Sequence, residues 1–288
     1  VDSQLIFQDE TEMKRLIVQN SLLSYYEKPI LKALFDSRKD ITVLDVGCND
    51  GAKTVERFSS PSVSKVIGLE FNQKLVQKAQ EQYGDKRFYF FRLDAEDDSF
   101  TLSLRKIMKE ENIECFDVIY LSFLLMHLKD VEKYLTSLRP FLKKDGKILI
   151  IEADDSNSKL NGDGGGLLGD FLSILKKDKY AGNREVGKNI IQTLKKCGYH
   201  DITVHYDAIS ASKDEKEKKE AIFTTFFSYL REDVSILLSQ EPTNLEYKSW
   251  KKWLESNYTA LKNLVMDEES DISMGMKILT CSKEDSDA

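Results

Sequence analysis

"TVLDVGCNDGAKTV", residues 42 to 55, is the stretch on which the reading of the fold turns. A β-branched and aliphatic run ends at Asp45, a turn carrying Gly47, Asn49 and Gly51 follows, and a helical pattern begins. Strand, glycine-containing turn and helix in that order open a βαβ unit. The alternation continues outward. "KVIGLEF" (65 to 71), "RFYFFRL" (87 to 93), "FDVIYLS" (116 to 122), "GKILIIEA" (146 to 153) and "ITVHYD" (202 to 207) are mostly continuous apolar runs, as strands covered on both faces read. Between them, Asn72 can cap a helix bearing Leu75, Val76, Ala79 and Tyr83, ended by Gly84. Asp130 can cap another with Val131, Tyr134, Leu135 and Leu138, and Val186, Ile190, Leu194 and Cys197 mark a third, closed by Gly198.

Strands alternating with helices of this length predict an α/β fold, a Rossmann-like doubly wound and mostly parallel sheet. Residues 1 to 40 read as N-terminal helices, two of them broken at Pro29, with Met13, Leu16, Ile17, Leu23, Ile30, Leu31 and Leu34 at helical spacing. The core then runs from 41 to 212. Within it "DDSNSKLNGDGGGLLG" (154 to 169) is polar and glycine-rich, hence a mobile loop beyond a strand's carboxyl end. From 213 to 266 a charged run, "SKDEKEKKE", expected to be a solvated face, leads into an aromatic stripe and then "YKSWKKWLESNYTALKNLV". That segment predicts a two-helix cap inserted before the last strand, and the aromatic stripe is expected to be its packing face. "DISMGMKILTCS" (271 to 282), within a final segment 267 to 288, rejoins the sheet.

Bulk properties exclude several classes. The chain has 288 residues, 41% hydrophobic and 32% charged, with no apolar run near the roughly 18 residues of a membrane span. No basic segment followed by an apolar one opens the sequence, so no signal peptide is expected. Net charge is -7, which argues against a partner held mainly through phosphates. Cys48, Cys115, Cys197 and Cys281 are far apart, with no CxxC pair. That pattern fits buried thiols in a reducing cytoplasm better than disulfides or a zinc site.

The chemistry-bearing residues gather at strand tips. Asp45 ends the first strand, the turn with Gly47, Asn49 and Gly51 follows, and Glu70 ends the second strand about twenty residues later, the spacing of a dinucleotide-type site. An acidic side chain there can accept both hydroxyls of a ribose, and Phe71 beside it can stack on an adenine. At the third tip Asp94, Ala95 and Glu96 follow, with Asp94 the candidate acceptor for an adenine amino group. The fourth strand runs into "LSFLLMHLKD", bringing Ser122 and His127 to the same edge.

"VLDVGCNDG", "VIGLEFN", "RLDAEDDSF", "FDVIYLSFLLMHLKD" and "LRPFLKKDGKILIIEAD", in this order over roughly residues 40 to 155, resemble the class I S-adenosylmethionine-dependent methyltransferases. The resemblance implies S-adenosylmethionine as cofactor. Asp45 and the turn of Gly47, Cys48, Asn49 and Gly51 would face its methionine part, Glu70 the ribose, and Phe71 with Asp94, Ala95 and Glu96 the adenine. Ser122 and the segment ending at His127 would face the methyl side. Asn49 departs from the family's G-x-G-x-G, but asparagine accepts positive φ, and the cofactor has no pyrophosphate needing a bare backbone. The implied reaction is methyl transfer to a small-molecule acceptor through O, N or C. A protein or peptide acceptor and a non-catalytic cofactor-binding role are the alternatives, and a nicotinamide-dependent oxidoreductase is the rival class. His127 is the candidate base, with Asp154 and Asp155 behind it, and no metal is expected, since Ser122 stands near where metal-dependent members carry an aspartate. No nucleic acid or membrane partner is expected, and a monomer or homodimer fits equally. Glu70→Ala is expected to weaken cofactor binding and spare the fold.

Overall fold

A computed structural model describes residues 10–36 and 38–283, so parts of the expected terminal segments lie outside the described residues. Eight strands form one sheet. They are β1 (Ile41–Val46), β2 (Val63–Glu70), β3 (Phe88–Arg92), β4 (Phe116–Ser122), β5 (Leu142–Ala153), β6 (Lys159–Leu160), β7 (Tyr199–Ala211) and β8 (Ile272–Lys283). Their order is β3-β2-β1-β4-β5-β8-β6, with β7 also on β8. Pairing is parallel from β3 through β5, whereas β6 meets β8 antiparallel. From β1 the chain winds first through β2 to β3 and then returns to β4 on the other side. That places a topological switch point between β1 and β4, where sheets of this kind bind ligands at their carboxyl ends. The fold is therefore the expected α/β, Rossmann-like one.

Ten α-helices accompany the strands among the described residues: α1 (Glu10–Phe35), α2 (Ala52–Arg57), α3 (Gln73–Tyr83), α4 (Phe100–Glu110), α5 (Val131–Leu138), α6 (Leu167–Leu175), α7 (Val186–Lys196), α8 (Lys216–Phe227), α9 (Leu230–Gln240) and α10 (Leu245–Met266). Caps fall where the side chains direct them. Asn72 accepts from the amides of Lys74 and Leu75, and Asp130 from that of Lys133.

The chain divides into two compact units. One holds Tyr26–Ala153, Val186–Tyr206 and Lys277–Ala288, and its core joins strand residues such as Leu44, Ile67, Ile119 and Ile150 to Leu104, Leu135 and Leu194 of the helices. The other holds Val1–Tyr25, Asp154–Glu185 and Asp207–Met276, with α10 packed on α6, α8 and α9.

Four expectations need correction. The N-terminal region is one continuous helix through Pro29. Leu22, Leu23, Tyr26, Ile30, Leu31 and Phe35 are buried on both sides of the proline, and that burial outweighs the local loss of a backbone bond. The 213–266 segment contains three helices instead of two. In the run "SKDEKEKKE", Lys219 is 1% exposed, its Nζ donating to the carbonyls of Asp267 and Ser270 at 2.7 Å each. It ties down the backbone just beyond α10, so this lysine is structural. The glycine-rich stretch contains β6 and the start of α6, which Asp163 caps through the amides of Leu167 and Leu168.

The aromatic stripe packs as expected. Phe223 and Phe227 stack with centroids 4.9 Å apart, and Phe171 lies against Phe227 and Trp253. These rings fill a core.

Candidate active site

All twelve expected site residues lie in the unit that begins at Tyr26. The turn after β1 holds three left-handed residues in alternation: Gly47 (φ 82°), Asn49 (φ 52°) and Gly51 (φ 77°). Asn49 thus adopts the conformation that a glycine would otherwise supply. Its Oδ1 accepts from the Asp50 amide at 2.7 Å, and its own amide donates to Glu70 Oε2 at 3.1 Å. Gly51 is needed twice over, because a Cβ there would also stand 2.8 Å from the Phe90 ring. At Gly47 the nearest atom to such a Cβ is Leu124 Cδ1, at 3.7 Å.

Every amide of this turn is already used. Gly47 and Cys48 donate to the Leu69 carbonyl, Asn49 to Glu70, Asp50 to Asn49, Gly51 to the Cys48 carbonyl and Ala52 to Asp50 Oδ1. A pyrophosphate cradle needs backbone N–H groups aimed at the ligand. This turn offers none between 47 and 52, and α2, at six residues, adds little dipole. The charged side chains nearby are the carboxylates Asp45, Asp50 and Glu70, with Lys78 paired to Asp50 at 2.8 Å and Arg57 acting on Asp45. The arrangement suits a ligand with cationic groups and hydroxyl donors.

Glu70, 6% exposed, also accepts from the Asn72 amide at 3.0 Å, so its carboxylate bridges the turns after β1 and β2. Burial pushes its pKa up, against the hydrogen bonds from Asn72 and Asn49. Glu70→Ala would strand both amides. Asp45 is buried, with Thr54 Oγ1 donating to its Oδ2 at 2.6 Å. Its pKa too is raised by burial, opposed by Arg57 and Thr54.

The remaining residues divide between accessible strand-tip positions and framework. Cys48 turns inward beneath Gly68, burial raising its thiol pKa, so only its backbone can face a ligand. Phe71 is half-buried, its carbonyl accepting from Arg92 Nε. Asp94 is exposed and Ala95 half-buried, and Asp94 Oδ1 accepts from the Glu96 amide at 2.9 Å. Glu96 accepts from the Lys129 amide at 2.7 Å, which links the third and fourth loops. Ser122 ends β4 half-buried, and His127 is exposed at the end of a short 3-10 turn, Leu125–His127. Asp155, in the other unit, has both oxygens held by Arg184 at 2.6 and 2.8 Å, so it is not free to act as a base. Among the described residues no group of three or more His, Cys, Asp or Glu could hold a metal.

Sequence reading passed over several contributors. Phe123, directly after β4, has φ 49°, and Leu124 comes nearest to Gly47. A positive φ at an aromatic residue leaves no mark in the sequence, and here it falls just beyond the carboxyl end of β4. Glu152 Oε1 accepts from the Leu125 amide at 2.6 Å and fixes this segment from below. Glu27 of α1 was visible in principle, as a charge interrupting the stripe of Leu23, Ile30 and Leu31.

A parallel sheet with its switch point between β1 and β4, and an acidic turn with internally satisfied amides at that point, make up the candidate site. A sequence profile of the methyltransferase-domain family matches residues 37–267, and the chain belongs to that family, with the class I S-adenosylmethionine-dependent fold. An uncharacterized methyltransferase of Schizosaccharomyces pombe is 32% identical over 118 residues. That match spans 41% of this chain and 41% of the yeast protein. Among solved structures, the YcgJ protein of Bacillus subtilis is similar at TM-score 0.53 and 17% identity, covering 91% of this chain and 99% of that one. Phosphoethanolamine N-methyltransferase 2 of Haemonchus contortus, in complex with phosphomonomethylethanolamine and S-adenosylhomocysteine, is similar at TM-score 0.53 and 16% identity, over 97% of this chain and 59% of that one. At such identities the likeness is one of fold.

Proposed function

We propose that this chain binds S-adenosylmethionine at the carboxyl ends of β1, β2 and β4 and transfers its methyl group to a small-molecule acceptor through O, N or C. The observation that carries the reading is the turn at 47–52. Its amides have internal acceptors and its neighbours are carboxylates, which disfavours a pyrophosphate and favours a sulfonium amino acid joined to a ribose. Asp45 would meet the amino-acid end, Glu70 the ribose hydroxyls, and Phe71 with Asp94 the adenine.

A sulfonium methyl is already activated, so alignment of the acceptor in line with it supplies much of the rate. A base is required only where the acceptor must lose a proton. His127, exposed on the segment that Glu96 and Glu152 fix, is the residue we assign to that task. Free thiols throughout fit a reducing, cytoplasmic setting.

Isothermal titration with S-adenosylmethionine, S-adenosylhomocysteine and NAD tests the reading. The first two are expected to bind and NAD is not. Binding of NAD alone would sink it. Transfer of a labelled methyl group to one member of a panel of hydroxyl, amine and carbon acids is the expected sign of catalysis.

A further inference from the structure

At the tip of β3, on the sheet edge that carries the candidate site, stands a cation that the neighbouring carboxylates leave alone. Arg92 ends β3 and is the register partner of Glu70, which ends β2, and Asp94 follows two residues later. Arg92 is exposed, yet its guanidinium pairs with neither carboxylate among the described residues. Its Nε instead donates to the Phe71 carbonyl at 3.1 Å. That carbonyl lies between two regular elements. The Glu70 carbonyl, still in the sheet, accepts from the Leu93 amide at 3.0 Å, and α3 begins its own bonding with the Asn72 carbonyl, which accepts from the Val76 amide at 3.1 Å. The Glu70 carboxylate is held by the Asn49 and Asn72 amides, and Asn72 is held by capping α3. The Phe71 carbonyl belongs to neither element and needs a partner of its own. Arg92 supplies it from the next strand.

We infer that Arg92 is a positioning residue for the adenine end of the cofactor: its Nε–H fixes the Phe71 peptide, and with it the direction in which the half-buried Phe71 ring meets the base. This rests on the cofactor reading above. A ring held in its bound orientation before the ligand arrives leaves less to be ordered on binding, and affinity rises accordingly. A charge effect is the alternative, in which any cation at position 92 suffices. Side-chain lengths separate the two. Glutamine carries Nε2 as many bonds from the backbone as arginine carries Nε, so it keeps the donor without the charge. Lysine keeps the charge and places its donor one bond further out, and methionine has neither.

The test is isothermal titration with S-adenosylmethionine and with 5′-methylthioadenosine, which keeps the adenosine and lacks the amino-acid end. Arg92→Met is expected to weaken both ligands by the same factor, about fivefold. Its thermal unfolding should stay near that of wild type, because the side chain is exposed at a strand end. Arg92→Gln is expected to bind within about twofold of wild type, and Arg92→Lys to resemble Arg92→Met. In a Phe71→Ala background Arg92→Met should change nothing further, since no ring is left to position. Arg92→Gln as weak as Arg92→Met, beside an Arg92→Lys like wild type, assigns the effect to charge and overturns the proposal. An undiminished loss in the Phe71→Ala background overturns it too. Should Phe71→Ala not fold, the ordering of the three Arg92 variants still decides. Failure of wild type to bind either ligand removes the cofactor reading, and with it the role of Arg92. A wild type that binds, beside an Arg92→Met of equal affinity, removes only Arg92.

Discussion

At Asn49 a backbone conformation and two internal hydrogen bonds coincide. The residue must hold a left-handed conformation while directing its amide at Glu70, and asparagine does so with a side chain that also caps Asp50. Asn49→Gly is therefore expected to fold with stability within about 1 kcal/mol of wild type, while Asn49→Ala loses roughly 1–2 kcal/mol. Gly51→Ala should lose more, about 2–4 kcal/mol, because strain adds to the clash with Phe90. Urea denaturation of the three variants checks the ranking, and equal losses at 49 and 51 would contradict it. Glu70→Gln separates the two duties of that carboxylate. Its carbonyl oxygen can still accept one amide, so stability is expected to drop by about 1–3 kcal/mol, with a larger proportional loss in S-adenosylmethionine affinity on calorimetry. The sequence showed the turn's tolerance for Asn49, because φ preference is a property of the residue type. It did not show the Glu70 bridge, which depends on where two turns meet in space.

Among elements, the strands were legible nearly to their ends, because a sheet covered on both faces writes itself as unbroken apolar runs. Errors arose where tertiary contacts overruled local signals. Pro29 reads as a break, yet α1 continues through it with buried residues before and after. The proline removes the amide that would serve the carbonyl of Tyr25, and Tyr25 is where the first compact unit gives way to the second. Pro29→Ala is expected to raise thermal stability, by up to about 3 kcal/mol on helix propensity. An unchanged or lowered melting temperature would show that the interruption is itself required. Lys219 is the converse case: a lysine in a run of charges that folding buries. Lys219→Met removes the lysine's bonds to the carbonyl of Ser270 and to that of Asp267, which keeps the Ser270 amide and hydroxyl as donors, for an expected loss of about 1–3 kcal/mol. Differential scanning calorimetry reads this directly, and an unaltered transition would return Lys219 to the solvated surface that its neighbours suggest.

For the whole molecule, pH dependence distinguishes the unit of the cap helices, since a buried group of charges there has no counterpart in the sequence pattern. Asp178 and Asp233, 3% and 4% exposed, are buried carboxyls that act on one another, and Asp178 Oδ2 has no hydrogen-bond partner. Around them stand Glu12 and Arg15 of α1, Asp155, Lys179 and Arg184 of the 154–185 segment, and Tyr229 before α9. Arg15 is paired with Glu12, and Arg184 with Asp155, so neither guanidinium is wholly available to the aspartates. Burial, reinforced by Asp178, pushes the Asp233 pKa up to about 9. One carboxyl thus keeps its proton in the folded protein at neutral pH, whereas in the unfolded chain it ionises near pH 3.8. Between these values the folded state binds more protons than the unfolded one, so stability from this pair is full below about pH 4 and declines as pH rises toward 9. Asp233→Asn fixes the proton-donating form permanently. Its amide can donate to the remaining Asp178 carboxylate without ionising, so the variant is expected to match wild type near pH 4 and exceed it by about 1–3 kcal/mol at pH 8. Thermal denaturation of both proteins from pH 4 to 9 measures the difference. A gap that stays constant with pH would mean that the two carboxyls do not share a proton, and that the neighbouring arginines neutralise them instead.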